Sequence, residues 1–176
     1  VEGIDGSGKS GLINSLVEYY PNYKRADIRK QWQKIDKNNI KARKKFFKDY
    51  FKKYKNEKII IDRFHISETV YDKTLRDTTT YVDDFEKNIF GSNIKDVILI
   101  VVDVHEEIAQ QRIKKRDGKE EKQDLAKERL LFKTAFFASR IPHKLLIYND
   151  EFETFKKYIK EYIESVCGVS GKILKS

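Results

Sequence analysis

Apolar positions along the chain alternate between two periods, one helical and one extended. Over residues 11–20, Leu12, Ile13, Leu16, Val17 and Tyr20 share one helical face, and Pro21 ends the run. Residues 22–37 are polar and irregular, with a short strand expected near 24–28. Over 38–54, Ile40, Phe47, Tyr50, Phe51 and Tyr54 recur at helical spacing among Lys and Arg. The isoleucine run within 58–61 reads as a buried parallel strand. Helices are expected over 66–75 and 81–90, and the nearly unbroken apolar stretch 96–102 is a second buried strand. A helix over 106–116 gives way to a polar loop, 117–124. Residues 125–140 return to helix, with Leu130, Leu131, Phe132, Phe136 and Phe137 as apolar bulk, and Pro142 stops them. A strand over 144–148, an amphipathic helix over 151–166 and a tail over 168–176 complete the chain. Strands alternating with helices predict βαβ units, and so an α/β fold: a parallel sheet with helices on both faces, three layers α/β/α.

The chemistry starts at the first ten residues, Val1-Glu2-Gly3-Ile4-Asp5-Gly6-Ser7-Gly8-Lys9-Ser10. They satisfy G-x-x-x-x-G-K-S/T, the phosphate-binding loop. Glycines let the backbone turn so that its N–H groups form a nest for phosphate oxygens. Lys9 can reach the β- and γ-phosphates, the Ser10 hydroxyl can coordinate Mg²⁺, and the following helix adds its positive end. The apolar periodicity after Ser10 supplies that helix. This predicts a P-loop NTPase-type sheet. The 58–61 strand runs directly into Asp62-Arg63-Phe64-His65. A carboxylate and a guanidinium at the carboxyl end of a buried strand lie where open α/β sheets bind ligands. His65, a lone histidine, reads as a structural donor.

Composition adjusts this picture in three ways. At 176 residues and 20.9 kDa, one domain spanning 1–176 is expected, with a core of its own. A net charge of +9 and a pI near 9.4 suit phosphate-bearing ligands, and would also suit nucleic acid. Most lysines read as solvated helix faces, and the aromatic stripe of 38–54 reads as the core face of a basic helix. Trp32 fits a core anchor or a pocket wall equally well. The single cysteine, Cys167, excludes an internal disulfide framework and suits a reducing, cytoplasmic setting. No apolar run has the length of a membrane span, and no signal-peptide pattern is present. The absence of methionine and the brevity of the first strand suggest a portion of a longer chain.

EGIDGSGKS with its helix, then IIIDRFHISETVY, then a VVDV strand leading into a basic RIKKR segment, resembles the thymidylate kinase group of nucleoside monophosphate kinases. The resemblance runs in order from residue 1 to about 140, and the DRFHxxExVY form looks like that group's bacteriophage branch. It implies transfer of the ATP γ-phosphate to dTMP or another deoxynucleoside monophosphate, with ATP and Mg²⁺. Gly6, Ser7, Gly8, Lys9 and Ser10 would hold the ATP phosphates, with Ser10 and Asp62 near the metal. Asp5 would reach the acceptor sugar, and Arg63 would grip the acceptor phosphate. Tyr71 would pack on sugar and base, with Ser67 on the same stretch. Arg112 and Arg116 would close a lid, about 112–124, over the transferring phosphate. Tyr50 stands where that group has its thymine-reading Arg, with Arg43 the nearest arginine, and Glu68 replaces a common polar amide; Tyr50 and Glu68 would lie on the acceptor side with Ser67. Homodimers are common in that group.

Three other readings compete. A P-loop deoxynucleoside kinase would use Asp62 or Glu2 as a base. A GTP-dependent switch lacks its N-K-x-D tetrapeptide and a second D-x-x-G. A basic nucleic-acid binder would leave Lys9, Ser10, Asp62 and Arg63 without purpose, and ranks last.

Overall fold

Two parallel strand pairs form the centre of the molecule, for which a computed structural model describes residues 1–35, 39–71, 78–119, 124–149 and 152–167. Strand β1 (Lys24–Asp27) pairs with β2 (Ile59–Asp62), placing Asp27 beside Asp62. Strand β3 (Ile98–Asp103) pairs with β4 (His143–Tyr148), placing Asp103 beside Tyr148. Val1 and Glu2 join the two pairs. The Val1 nitrogen donates to Ile61 O at 2.8 Å, and Arg63 N donates to Val1 O at 3.0 Å. On the other side Glu2 N donates to Ile100 O at 2.8 Å, and Val102 N donates to Glu2 O at 2.9 Å.

Away from this bridge the pairs part around a cavity of about 590 Å³, lined by Ile59, Ile60, Ile61, Ile98, Leu99 and Ile100 among others. The isoleucines of β2 are half-buried and line this cavity.

Helices cover both faces, as the alternation of strands and helices predicts. On one face α1 (Lys9–Tyr19) and α8 (Phe152–Cys167) pack Leu12, Leu16 and Ile159 against Ile100, Val102 and Ile147. Leu99 and Val101, one step out of phase, face the larger core instead. That core takes in α3 (Ile40–Tyr54), α4 (His65–Tyr71), α5 (Thr78–Ile89) and α7 (Leu125–Ala138). A four-residue helix, α2 (Arg29–Trp32), precedes α3, and a 3₁₀ turn (Gly91–Asp96) precedes β3. Helix α6 (Glu106–Asp117) follows β3 and ends at Gly118, whose φ of 71° lets its N–H reach Lys114 O at 2.9 Å. Asn39 caps α3 through Ala42 N (2.9 Å), and Asp124 caps α7 through Lys127 N (3.0 Å).

Element boundaries fall within a few residues of those expected. Residues 72–75 of the 66–75 helix, 120–123 of the polar loop and the tail after 167 lie outside the described residues. Trp32 packs on Phe46 and Phe47, with ring centroids at 5.5 and 5.0 Å, so it anchors the aromatic core. Leu130 and Phe137 differ from expectation, being 64% and 70% exposed. Seven residues apart, they share the α7 face opposite Leu125, Phe132 and Ala135, which fill the core. No helix among the described residues is long and apolar enough to cross a membrane.

A buried polar hub ties α4, α5 and the end of α7 together. Glu86 accepts from His65 Nε2 (2.8 Å), Ser139 Oγ (2.7 Å) and Arg140 N (2.5 Å). His65 is thus a structural partner, stacked on Phe85 at 5.0 Å. Glu86→Ala strands two buried donors and the part-buried Arg140 N–H, each worth about 1–3 kcal/mol unpaired, so a loss on the order of 3 kcal/mol is expected in urea unfolding. A loss below about 1 kcal/mol would show that water replaces the carboxylate there.

Candidate active site

The carboxyl ends of the strands converge on the loop formed by residues 3–9. Gly6 and Gly8 are fixed by this convergence. Gly6 has φ 73°, and a Cβ there would lie 2.5 Å from Ala109 O on α6. Gly8 has φ 93°, and a Cβ there would lie 2.1 Å from Asn149 Nδ2. Both positions demand left-handed backbone and admit no side chain. Gly8 is also the N-cap of α1 and supplies no side-chain cap, so the first N–H groups of that helix face the loop without a protein side chain on them. This geometry fits a phosphate group.

Lys9 is buried beneath the loop. Its Nζ donates to Ile4 O at 2.5 Å and to Ser7 Oγ at 3.4 Å. Burial, reinforced by the Arg63 charge and only partly offset by Asp5, Asp62 and Glu2, pulls its pKa down to about 7. Ser10 follows on the exposed first turn of α1.

Asp5, Arg63 and Arg116 come together at the loop's mouth. Arg116 Nη2 donates to Asp5 Oδ2 at 2.8 Å, and Arg63 Nη2 stands 3.8 Å from Asp5 Oδ1. Burial opposes ionisation of Asp5, but the Arg116 hydrogen bond and charge, with Lys9 and Arg63, hold its carboxyl below the usual range. Arg63 is held in left-handed backbone, φ 63°, a conformation costing about 1–3 kcal/mol outside glycine. Its Nη1 donates to Tyr71 Oη at 2.7 Å, and its guanidinium sits 5.0 Å over the Tyr71 ring.

The remaining predicted residues are placed differently. Arg112 bridges the loop to the sheet, donating to Gly6 O (3.4 Å) and Asn149 O (3.1 Å). Asp62 is buried and paired with Arg25 at 3.0 Å. Ser67 donates to Glu2, whose other oxygen accepts from Phe64 N at 2.7 Å. Glu68 forms a buried ion pair with Arg43 at 3.0 Å, joining α4 to α3. Tyr50 lies in the aromatic core, 4.8 Å from Tyr54 and 6.2 Å from Phe64, and no described contact joins it to the loop.

Four residues matter more here than the sequence pattern indicates. Arg25 neutralises Asp62 and also donates to Asn14 Oδ1 at 3.0 Å. Only the β1–β2 register brings it there, although an arginine on a short strand beside the DR strand was a usable signal. Asn149 follows β4, is buried, and donates to Ser7 O at 2.7 Å, fixing the loop from behind. Its Oδ1 has no hydrogen-bond partner among the described residues. Glu2, buried at the bridge, locks the start of α4 to the loop strand. Asp103, at the end of β3, binds Arg129 (2.6 and 3.1 Å) and Lys133 (2.8 Å) and so fastens α7 beside the site.

Solved structures share this fold. A deoxyadenosine kinase from M. mycoides with bound dCTP matches with TM-score 0.57 at 22% identity, over 93% of this chain and 97% of its own. A thymidylate kinase from Ehrlichia chaffeensis matches with TM-score 0.50 at 20% identity, over 96% of each chain. The fold is that of a P-loop kinase. No family model matches the sequence, and no curated protein does. Residues 3–9 form the glycine-rich loop at the carboxyl ends of the strands, and β2 leads into the Asp62-Arg63 pair. Helix α6 carries two arginines, one tied to the loop backbone and one to Asp5.

Proposed function

We propose that this chain is an ATP-dependent nucleotide kinase that moves the γ-phosphate of ATP onto a deoxynucleoside monophosphate, dTMP or another dNMP. The observation that carries this reading is the convergence of Arg63 and Arg116 on Asp5 beside the phosphate loop. Two guanidiniums aimed at one point are what a phosphorylated acceptor needs, since an Arg fork fixes a phosphate in orientation as well as charge. Phosphoryl transfer asks the protein for alignment and charge neutralisation more than covalent chemistry.

The residues divide the work by position. The N–H groups of Gly6, Ser7 and Gly8 and the α1 N-terminus cradle the donor phosphates, with Lys9 beneath them. Ser10 and Asp62 would hold Mg²⁺ together with nucleotide phosphates, and the ion would neutralise charge on the transferring group. Arg63 orients the acceptor, Tyr71 offers it an aromatic face, and Arg116 leaves Asp5 to follow the phosphate. Arg112 and Asn149 hold the loop from behind.

A second reading has its own support. The likeness to a deoxyadenosine kinase carries the higher TM-score, and a carboxylate, Asp62, lies at the end of β2 as an unphosphorylated acceptor would require. That role needs a free base, whereas Asp62 is held by Arg25. The test is ADP release from Mg·ATP across the four dNMPs, the matching NMPs and the deoxynucleosides. Turnover with one or more dNMPs is expected. Turnover with deoxynucleosides alone would shift the reading to the second class, and silence across the panel would overturn both.

A further inference from the structure

Five lysines on α3 and its final turn have no part in the site described above. Lys41, Lys45, Lys48, Lys52 and Lys55 recur at intervals of four, three, four and three. At about 100° per residue they fall within an arc of roughly 80°, and at 1.5 Å per residue the stripe is about 21 Å long. All five are exposed, and none forms an ion pair among the described residues. Asp49, the helix's one acid, lies to the side of the stripe, and Lys44, on the other flank, is paired with Asp84 at 2.5 Å. The opposite face is already committed, with Arg43, Phe47 and Tyr50 buried in the core.

We propose that this lysine face binds the phosphate backbone of double-stranded nucleic acid without regard to sequence. The protein carries a net charge of +9, and the stripe gathers five cations in one line with no carboxylate paired to them among the described residues. A rigid helix edge of this length matches a run of backbone phosphates, with charge as the complementary feature. A lipid surface fits less well, because the apolar side of α3 is buried in the protein and cannot enter a bilayer. The exposed large apolar side chains, Leu130, Phe137, Tyr148 and Tyr158 among them, lie on other elements. With no aromatic on the stripe to stack on bases, the contact is to backbone rather than sequence. The proposal does not depend on the kinase reading.

The test is fluorescence anisotropy with a 20-base-pair DNA duplex of mixed sequence between 50 and 200 mM KCl. Each phosphate neutralised contributes about −0.9 to the slope of log K against log salt, so five lysines predict a slope of about −4.5. The variant K41Q/K45Q/K48Q/K52Q is expected to flatten that slope by about 3.6 and to leave ADP release unchanged. The milder K45Q/K48Q should flatten it by about half as much, which covers any folding defect in the larger variant. K127Q/K157Q, two exposed lysines on other helices, should leave the slope as it is. An unchanged slope in the α3 variants, an equal loss in the control, absence of binding at 50 mM, or preference for phosphatidylserine vesicles over the duplex would each overturn the proposal.

Discussion

Lys9→Ala is expected to lower turnover by about 10²–10³-fold and to leave the fold intact. On the proposed function the buried Lys9 ammonium lies beneath the donor phosphates, and removing a preorganised electrostatic partner of a transition state costs about 10²–10³ in rate even where other donors remain. Lys9 also donates to Ile4 O and Ser7 Oγ, but Gly6, Gly8, Asn149 and Arg112 hold the loop backbone without it. Burial also opposes the lysine's charge, so its loss removes an unfavourable desolvation and leaves the thermal midpoint level or higher. A Lys9→Ala protein that kept most of its activity would remove the loop from the catalytic account.

The same lysine predicts the pH dependence of nucleotide binding. In the free protein its pKa is lowered to about 7, against 10.5 for an ordinary lysine. Phosphate oxygens beside Nζ favour the charged form, so the bound pKa lies higher. Binding therefore takes up a proton at any pH between the two values. Affinity is fully expressed below about pH 7 and falls as pH rises through it, by up to about tenfold per unit until the bound pKa is reached. Calorimetry in buffers of different ionisation enthalpy reads the proton directly. Uptake should appear at pH 8 and shrink at pH 6, whereas zero uptake at pH 8 would mean that Lys9 is already charged in the free protein.

The loop and its helix were legible in the sequence because their requirements are local: glycines where no side chain fits, then one apolar helical face. The strands were legible for the same reason, as short apolar runs between helices. What remained hidden depends on register and on contacts distant in the chain. Arg25 reaches Asp62 across 37 positions, and Asn149 reaches Ser7 across 142. Neither residue stands in a motif. Glu68 and Arg43 shared no visible pattern either, yet they form a buried pair between α4 and α3. The order of motifs aligns Tyr50 with a base-reading position. The helical period that makes it apolar also turns it into the core, beside Phe46, Tyr54 and Phe64. Leu130 and Phe137 show the converse, since bulk counted along a helix does not say which face it occupies.

Arg63→Ala is expected to reduce kcat/KM by about 10²–10³ for phosphorylated acceptors, chiefly through KM, and by less than tenfold for deoxynucleosides. The estimate rests on the loss of a charge-assisted bidentate contact, worth about 2–4 kcal/mol when both hydrogen bonds go. The variant also loses the 2.7 Å hydrogen bond to Tyr71 and the guanidinium over its ring, so the aromatic wall loosens with it. Backbone strain can be separated from chemistry at this position. At φ 63° alanine is as strained as arginine while glycine is not, so Arg63→Gly should be more stable than Arg63→Ala by about 1 kcal/mol and equally poor with phosphorylated acceptors. Arg63→Lys keeps the charge but loses the fork, and should recover only part of the affinity. If Arg63→Ala changed neither KM nor kcat for any phosphorylated acceptor, the acceptor phosphate would have to lie elsewhere. Arg25, paired with Asp62 on the neighbouring strand, would then be the next cation to replace.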